Sequence, residues 1–321
     1  MSVSQLLQQA RAKFGQCPVA DLRADQPTGE TPMDLFLAEE HSENYLSLSA
    51  GGDSDRGLLT GMIGGGALIT CGGLSVFMLL GGKWYALVLL MGLGIPMFLV
   101  PFAWEAFRPL PLPILFNRRT REVYFERDGA LYHTPWDQIR AIAGEFMLVG
   151  PQMGGMRCAS LEVLMHRFGQ PQEQVLVSLG LPMGKTLALQ KSLWEYLRAY
   201  MNNGPWFDKH GEHSEFDTYV KSLLSVRIKR TDWHKYTLEK IRKDKAENHG
   251  KNYLSGLDVV MLIGNLLFYP MNWLHEFTYG IAKRRSRKSW PELVQERLRL
   301  DGPTSRLIDL EHEQGGMAES S

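Results

Sequence analysis

An uncharged apolar block over residues 57–107 constrains the fold more than any other part of the chain. Residues 57–82 and 84–104 contain no charged side chain, and only Lys83 separates these two runs. Each run exceeds the roughly 18 to 20 apolar residues that an α-helix needs to cross a bilayer. The block therefore predicts a two-helix transmembrane hairpin, assigned to residues 56–108, with its turn at Lys83.

Basic residues on either side of the spans predict the orientation of this hairpin. The turn offers only Lys83, whereas five arginines follow the second run: Arg108, Arg118, Arg119, Arg121 and Arg127. Lys and Arg near span ends are enriched on the cytoplasmic side of a membrane. We therefore expect both termini in the cytoplasm.

Glycines mark one side of the first span. Gly57, Gly61 and Gly65 recur at four-residue spacing, so another helix can approach this side closely. The second span of the same hairpin is one candidate for that place, and a second copy of the chain is the other. No Asp, Glu, Lys, Arg or His lies in either uncharged run, which argues against a channel or a transporter.

The segment before the hairpin, residues 1–55, is an acidic arm. Pro, Gly, Asp and Ser accumulate in it from Cys17 onward. This composition is typical of a solvated linker or of a partly ordered arm. If the arm is ordered, its larger apolar and aromatic side chains would hold it in place: Met33, Leu35, Phe36, Tyr45 and Leu46.

The hydrophobic period changes from helical to strand-like after the hairpin, in residues 109–202. Six segments have the alternation of strands: 113–118, 122–126, 130–135, 139–149, 156–168 and 174–179. No helix separates them, so we expect antiparallel pairing. An amphipathic helix follows at 185–201. The pattern predicts an α+β protein in which a curved antiparallel sheet is capped by a C-terminal helix.

This layout resembles a pleckstrin-homology-like (PH-like) module. The sequences ILFNRRTREVYF at 114–125 and Pro-Trp at 135–136 also resemble those of a family of bacterial two-span inner-membrane proteins. The resemblance covers about residues 55–295. That family is associated with gene neighbourhoods of contact-dependent and type VI secretion. The resemblance implies an inner-membrane location and an immunity or accessory role beside a secreted toxin, and it brings no catalytic motif.

A basic helical region, 203–252, precedes a second apolar region, 253–289. Residues 254–274 of the latter are apolar, and a basic cluster follows: Lys283, Arg284, Arg285, Arg287 and Lys288. A third span would place that cluster outside, against the positive-inside rule. We therefore favour an interfacial helix with the cluster on anionic headgroups. A buried helix of the soluble domain and a true span are the alternatives, and 290–321 is assigned as a tail.

Asp258, Asn265 and Asn272 recur every seven residues within this apolar stretch. A seven-residue repeat returns to nearly the same side of an α-helix. The three side chains therefore define one narrow polar stripe, as an interfacial helix requires.

The segment Gly-Leu-Pro-Met-Gly-Lys-Thr at 180–186 is similar to a phosphate-binding loop, because it lies between a predicted strand and a predicted helix. A phosphate loop has four residues between its glycines, and only three separate Gly180 from Gly184. We interpret the segment as a strand-to-helix turn. Nucleotide binding through Lys185 and Thr186 is the alternative.

Metal and thiol chemistry find little support in residue spacing. His210, Glu212 and His213 lie in a glycine-containing polar connector, which we interpret as a solvated loop because it lacks helical i, i+4 geometry. The three cysteines are widely separated and predict neither a disulfide framework nor a metal site: Cys17, Cys71 and Cys158. No cofactor and no nucleic acid are expected.

Together these features predict a membrane-anchored binding or accessory protein. Its expected partners are anionic lipid headgroups and another protein, with self-association in the bilayer as a further possibility. A membrane-bound enzyme acting on lipid or nucleotide is the alternative from a different class.

Overall fold

The computed structural model describes residues 8, 12, 14, 17–50, 56–150, 154–182, 184–225, 230–249, 251, 253–286 and 289–319. The chain forms two compact units. The sheet unit comprises Met1–Ser54, Pro111–Val226 and Arg287–Ser321, and the helical unit comprises Asp55–Leu110 and Arg227–Ser286.

Nine strands and nine helices occur in the described residues. The strands are β1 (Val19–Arg23), β2 (Ala38–His41), β3 (Tyr45–Leu48), β4 (Ile114–Asn117), β5 (Glu122–Arg127), β6 (Ala130–Pro135), β7 (Arg140–Gly150), β8 (Gly154–Arg167) and β9 (Gln170–Ser178). The helices are α1 (Thr60–Leu80), α2 (Trp84–Phe107), α3 (Leu187–Asn203), α4 (Thr218–Ser225), α5 (Trp233–Glu247), α6 (Gly256–Leu267), α7 (Tyr269–Arg285), α8 (Glu292–Leu298) and α9 (Leu307–Glu319).

All nine strands of the sheet unit form one curled antiparallel half-barrel. Its strand order is β2–β3–β4–β5–β6–β8–β7–β1, and β9 also pairs with β8. The long strand β8 pairs with β7 through Gly154–Val163 and with β6 through His166 and Arg167. The predicted antiparallel sheet is confirmed, because the six strands expected between residues 113 and 179 correspond to β4–β9.

The helix α3 fills one face of the sheet. Its apolar side chains from Leu193 to Met201 are buried with the inward side chains of the strands. The Trp194 indole stacks on that of Trp136 with 5.3 Å between ring centroids. Trp136 lies in a 3-10 turn that separates β6 from β7. The predicted capping helix is therefore present, two residues later than expected.

The acidic arm contributes β1, β2 and β3 to the sheet, which its composition did not predict. Leu46 and Leu48 are completely buried in the main core, and β3 pairs with β4. These strands are short and carry charged side chains such as Glu39 and Glu40, so propensity alone indicates a linker. Burial against the sheet overrides that local signal.

The segment treated as a tail covers the opposite face of the sheet. Trp290 and Val294, at the start of this segment, and Leu307, at the start of α9, pack on Leu115 and Tyr124. Leu115 and Tyr124 are register partners on β4 and β5. The two C-terminal helices are therefore part of the fold of the sheet unit.

In the helical unit, α1 and α2 are long and apolar enough to cross a membrane, as expected. The helix α2 continues past Trp104 and so includes Glu105, which is 3% exposed. The bent pair of α6 and α7, whose axes meet at 53°, could add one further span by length and composition. The apolar stretch 254–274 is therefore two helices rather than one.

The glycine stripe of α1 is covered by α7 rather than by α2. A Cβ atom on Gly57 would lie 2.3 Å from the His275 carbonyl oxygen, and one on Gly61 would lie 2.5 Å from that of Met271. Only glycine permits so close a backbone approach. The neighbouring Gly64, outside the predicted stripe, is the one that faces α2.

The polar stripe of α6 faces α5. The Lys240 ammonium lies 2.7 Å from Asp258, and the Asn265 amide donates to the Thr237 hydroxyl at 3.2 Å. The opposite side of α6 is apolar and exposed at Leu257, Val260, Ile263, Leu266 and Leu267. In the described residues α6 is therefore not a buried core helix, and it pairs with the charged helix α5.

Candidate functional site

A polar cleft of about 650 Å³ opens in the sheet unit beside the break between β6 and β7. Arg23 and Arg140 line it with Asp25 and Asp137. His166, from β8, forms another part of its wall. The cleft thus combines both signs of charge with an imidazole.

A row of polar side chains crosses the sheet at His166, the residue that lines the cleft from β8. Tyr124, His133, His166 and Gln174 are register partners on β5, β6, β8 and β9. The two imidazole rings therefore lie side by side, with 4.3 Å between their centroids. His133 is completely buried, whereas His166 keeps 14% of its side chain exposed.

The helix α9 brings Glu311 onto this pair of histidines. Leu307 at its start is buried against the sheet, and Glu311 lies four residues later on the same face. One carboxylate oxygen is 3.3 Å from His133 Nε2, and the other is 3.0 Å from His166 Nε2. The Gly169 N–H donates to the same carboxylate at 2.6 Å, which fixes its position.

A second buried carboxylate, Glu122, lies behind His133. Its Oε1 atom is 3.4 Å from His133 Nδ1. The N–H groups of Leu307 and Ile308 donate to it at 2.9 and 3.2 Å, so Glu122 also caps the start of α9. The Tyr124 hydroxyl donates to its Oε2 at 2.9 Å. His133 is therefore held between two carboxylates.

The protonation states of this group follow from burial and from its neighbours. Burial lowers the pKa of His166, and the adjacent His133 lowers it further. Burial acts to raise the pKa of Glu311, but the Gly169 N–H and the two imidazoles more than offset this and the pKa is lowered. Near neutral pH, a neutral His166 thus faces an ionised Glu311.

These three residues supply a possible donor set for a metal ion. The ligand atoms of His133, His166 and Glu311 all lie within 4.8 Å of one another. Residue spacing could not reveal the group, because its members come from β6, β8 and α9. The one available signal was the pairing of two histidines at equivalent strand positions.

The segment 180–186, which is similar to a phosphate loop, lies between β9 and α3, where a strand-to-helix turn was expected. Thr186 is the N-cap of α3, and its hydroxyl accepts the Leu189 N–H at 3.4 Å. Met183 lies outside the described residues. The hydroxyl that a nucleotide would require is thus already engaged in capping.

The histidines of the connector do not come together as ligands. The His213 Nδ1 atom bonds to the Asn203 carbonyl at 2.8 Å, while the backbone N–H of His210 donates to Asp208. Both contacts shape the connector itself. The described residues of this loop thus agree with its interpretation as a loop.

The basic cluster is partly described. Lys283, Arg284 and Arg285 form the exposed last turn of α7, whereas Arg287 and Lys288 lie outside the described residues. Within the helical unit, the Arg285 guanidinium lies 4.8 Å from the ring centroid of Phe107 on α2.

Comparisons with protein-family models, curated proteins and solved structures find no match to this chain. Its function is therefore inferred from the geometry of the described residues.

Proposed function

We propose that the chain is a membrane-anchored accessory protein that binds another protein at the cytoplasmic face of a bacterial inner membrane. The observation that supports this proposal is an apolar β-hairpin in the sheet unit. Met147, Leu148 and Val149, near the end of β7, leave 49%, 43% and 76% of their surface exposed. Contiguous exposed apolar side chains are typical of protein-binding or membrane-binding surfaces.

The backbone of the same hairpin favours a protein partner over lipid. The strand β1 pairs with β7 only as far as Gly144, and β9 pairs with β8 only from Glu162. Glu145 and Ala159 still bond to Pro18 and Pro182, but in the described part of the chain no strand pairs with the outer edges of the hairpin nearer its tip. Open backbone groups can pair with an added strand, whereas hydrocarbon would leave them unsatisfied.

The proposed orientation draws on the basic residues of the helical unit. Arg108 follows α2, and Lys283, Arg284 and Arg285 end α7. The Leu110 N–H donates to the Ser286 hydroxyl at 3.0 Å, so these two ends lie together. The positive-inside rule favours the cytoplasm for this end, where the cluster would contact anionic headgroups.

The proposed class of partner rests on the family resemblance at residues 114–125. Neighbourhoods of contact-dependent and type VI secretion genes suggest a secreted toxin or a component that handles it. The sheet unit would then act as a PH-like module that presents the hairpin to this partner, in an immunity or accessory role.

Site-specific photocrosslinking in the native membrane tests the proposal. A photoreactive phenylalanine at Val149 is expected to give one discrete protein adduct. The same residue at Gln172, an exposed position on β9, is the matched control and should not give that adduct. Leu148→Asp should abolish the Val149 adduct without changing the circular dichroism spectrum. Adducts with lipid alone, or equal adducts from both positions, would refute the proposal.

A membrane-bound enzyme acting on lipid or nucleotide is the second candidate, and the cleft favours it. Arginine side chains such as Arg23 and Arg140 bind phosphate groups well. If the cleft is catalytic, the full chain should release phosphate from ATP or products from phospholipid vesicles, and Arg140→Gln should abolish that release. Activity unchanged in Arg140→Gln would exclude the cleft as its source.

A further inference from the structure

We infer that His133, His166 and Glu311 form a binding site for a divalent transition-metal ion, with Zn²⁺ as the best match. The Glu311 carboxylate reaches both imidazoles, at 3.3 Å from His133 Nε2 and 3.0 Å from His166 Nε2. Ligands of a tetrahedral Zn²⁺, each about 2.0–2.1 Å from the ion, are about 3.3 Å apart. Each Glu311–imidazole distance is therefore close to that spacing, and one ligand atom from each of the three residues lies within 4.8 Å of the other two.

The surroundings of His133 supply a second, independent observation. Its Nδ1 atom points to Glu122 at 3.4 Å, which leaves Nε2 directed at the proposed ion. Histidine ligands of metals commonly donate their other ring N–H to a carboxylate, which orients the ring. Glu122 is itself held by the N–H groups of Leu307 and Ile308, so this orienting carboxylate is fixed.

Burial gives a reason for a cation at this place. His133 is fully buried, and its two ring nitrogens face carboxylate oxygens at 3.3 and 3.4 Å without the geometry of a hydrogen bond. Within the described ranges, no lysine or arginine forms an ion pair with Glu122 or Glu311. Buried polar and charged groups are stable only when they are paired. A divalent ion would satisfy His133 Nε2 and balance the carboxylates together.

The donor set selects the kind of ion. Two imidazoles and one carboxylate are typical ligands of Zn²⁺, whereas Mg²⁺ and Ca²⁺ prefer oxygen ligands throughout. Three protein ligands leave the fourth tetrahedral position for water or a small anion. His166 is also a wall of the polar cleft, so a ligand in the cleft lies next to the proposed ion.

Metal binding by the full chain in detergent tests the inference. Metal is first removed with EDTA and dialysis, and Zn²⁺ or Co²⁺ is then added back. We expect about one Zn²⁺ per chain by mass spectrometry, and the visible absorption of tetrahedral Co²⁺ in the cobalt-loaded chain. Glu311→Gln and His166→Gln should lower the affinity at least about tenfold, and Glu122→Gln about 10-fold to 100-fold. His312→Gln, an exposed neighbour of Glu311 on α9, should bind as the wild type does.

Folding of each variant is checked by circular dichroism. Glu311→Gln keeps an oxygen that can accept the Gly169 N–H, and His166 is partly exposed, so at least one variant remains informative. A wild-type chain that binds no stoichiometric Zn²⁺ would overturn the inference. Wild-type affinity in both Glu311→Gln and His166→Gln would also overturn it, since the group would then be a buried ion-pair cluster.

Discussion

The hydroxyl of Thr60 donates a 2.6 Å hydrogen bond to Glu105, a residue that follows it by 45 positions. The same carboxylate accepts the backbone N–H groups of Gly57 and Thr60 at 2.9 and 2.8 Å. The last turn of α2 therefore caps the start of α1. A carboxylate is favourable there because a helix N-terminus carries partial positive charge.

Glu105→Gln should lower the free energy of unfolding by about 1–3 kcal/mol, since the charge is removed and only one of the two accepting oxygens remains. Thermal unfolding of the full chain in detergent measures the effect. Glu239→Gln on the exposed side of α5 is the control. Equal melting temperatures for the two variants would show that the cap is not stabilising.

Gly61→Ala should destabilise the helical unit by about 1–3 kcal/mol, because its methyl group would meet the Met271 backbone. Gly72→Ala is the matched control in α1, since nothing lies within 4 Å of the place its methyl group would take. Gly72→Ala should be neutral or slightly stabilising, as alanine favours helix. Thermal unfolding in detergent distinguishes the two, and an equal response would contradict the packing of α7 on this stripe.

The buried position of His41 predicts that the protein loses stability in acid. Its Nε2 donates to the Pro205 carbonyl at 2.6 Å, and its Nδ1 lies 2.8 Å from the Tyr196 hydroxyl. Burial lowers the pKa of His41 from its ordinary 6.5. The unfolded chain therefore binds a proton at a higher pH than the native chain does. Stability should be complete above pH 6.5 and fall as the pH drops below it.

Melting temperatures recorded from about pH 7.5 to about pH 5 test this expectation. His41→Asn should be less stable at neutral pH but show a flatter pH profile than the wild type. His210→Asn, in the exposed part of the connector, should keep the wild-type profile. An unchanged slope in His41→Asn would mean that other groups cause the acid loss.

Thr186→Ala should cost about 1 kcal/mol through loss of the N-cap of α3, and Thr186→Ser should restore most of it. Chemical denaturation followed by tryptophan fluorescence reports the change, because Trp194 lies in α3. If ATP or GTP raised the wild-type melting temperature but not that of Thr186→Ala, a nucleotide role would replace the capping role.

Reporter fusions test the proposed topology. Reporters placed after Asp55 and after Met201 should give cytoplasmic signals, and one inserted at Lys83 should give a periplasmic signal. The expectation follows from the excess of arginine after α2. A periplasmic signal after Met201 would reverse the hairpin.

Local patterns were sufficient for the parts of the fold that have one strong period. The apolar block predicted α1 and α2, and alternation predicted β4–β9. The strands β1–β3 were not predicted, because they are short and polar at their edges. The break between α6 and α7 at Phe268 was not predicted either. The apolar run continues through Phe268, although the helix axis turns there by 53°.

The candidate site could not be predicted because it depends on register between distant strands. His133 and His166 become neighbours only when β6 pairs with β8. Glu311 joins them because Leu307 packs on the sheet and Glu122 caps the start of α9. Residue types are visible in the sequence, but these pairings are set by tertiary packing.

The strand β3 ends before the hairpin and pairs with β4 after it, with Leu48 opposite Ile114. Similarly, β1 pairs with β7 from Arg140 to Gly144. During synthesis, β1 and β3 therefore cannot complete their pairing until both apolar helices have left the ribosome. If the hairpin fails to insert, these strands would remain unpaired at open sheet edges, which are prone to aggregation and proteolysis. Cellular abundance of the protein should thus serve as a readout of successful membrane insertion.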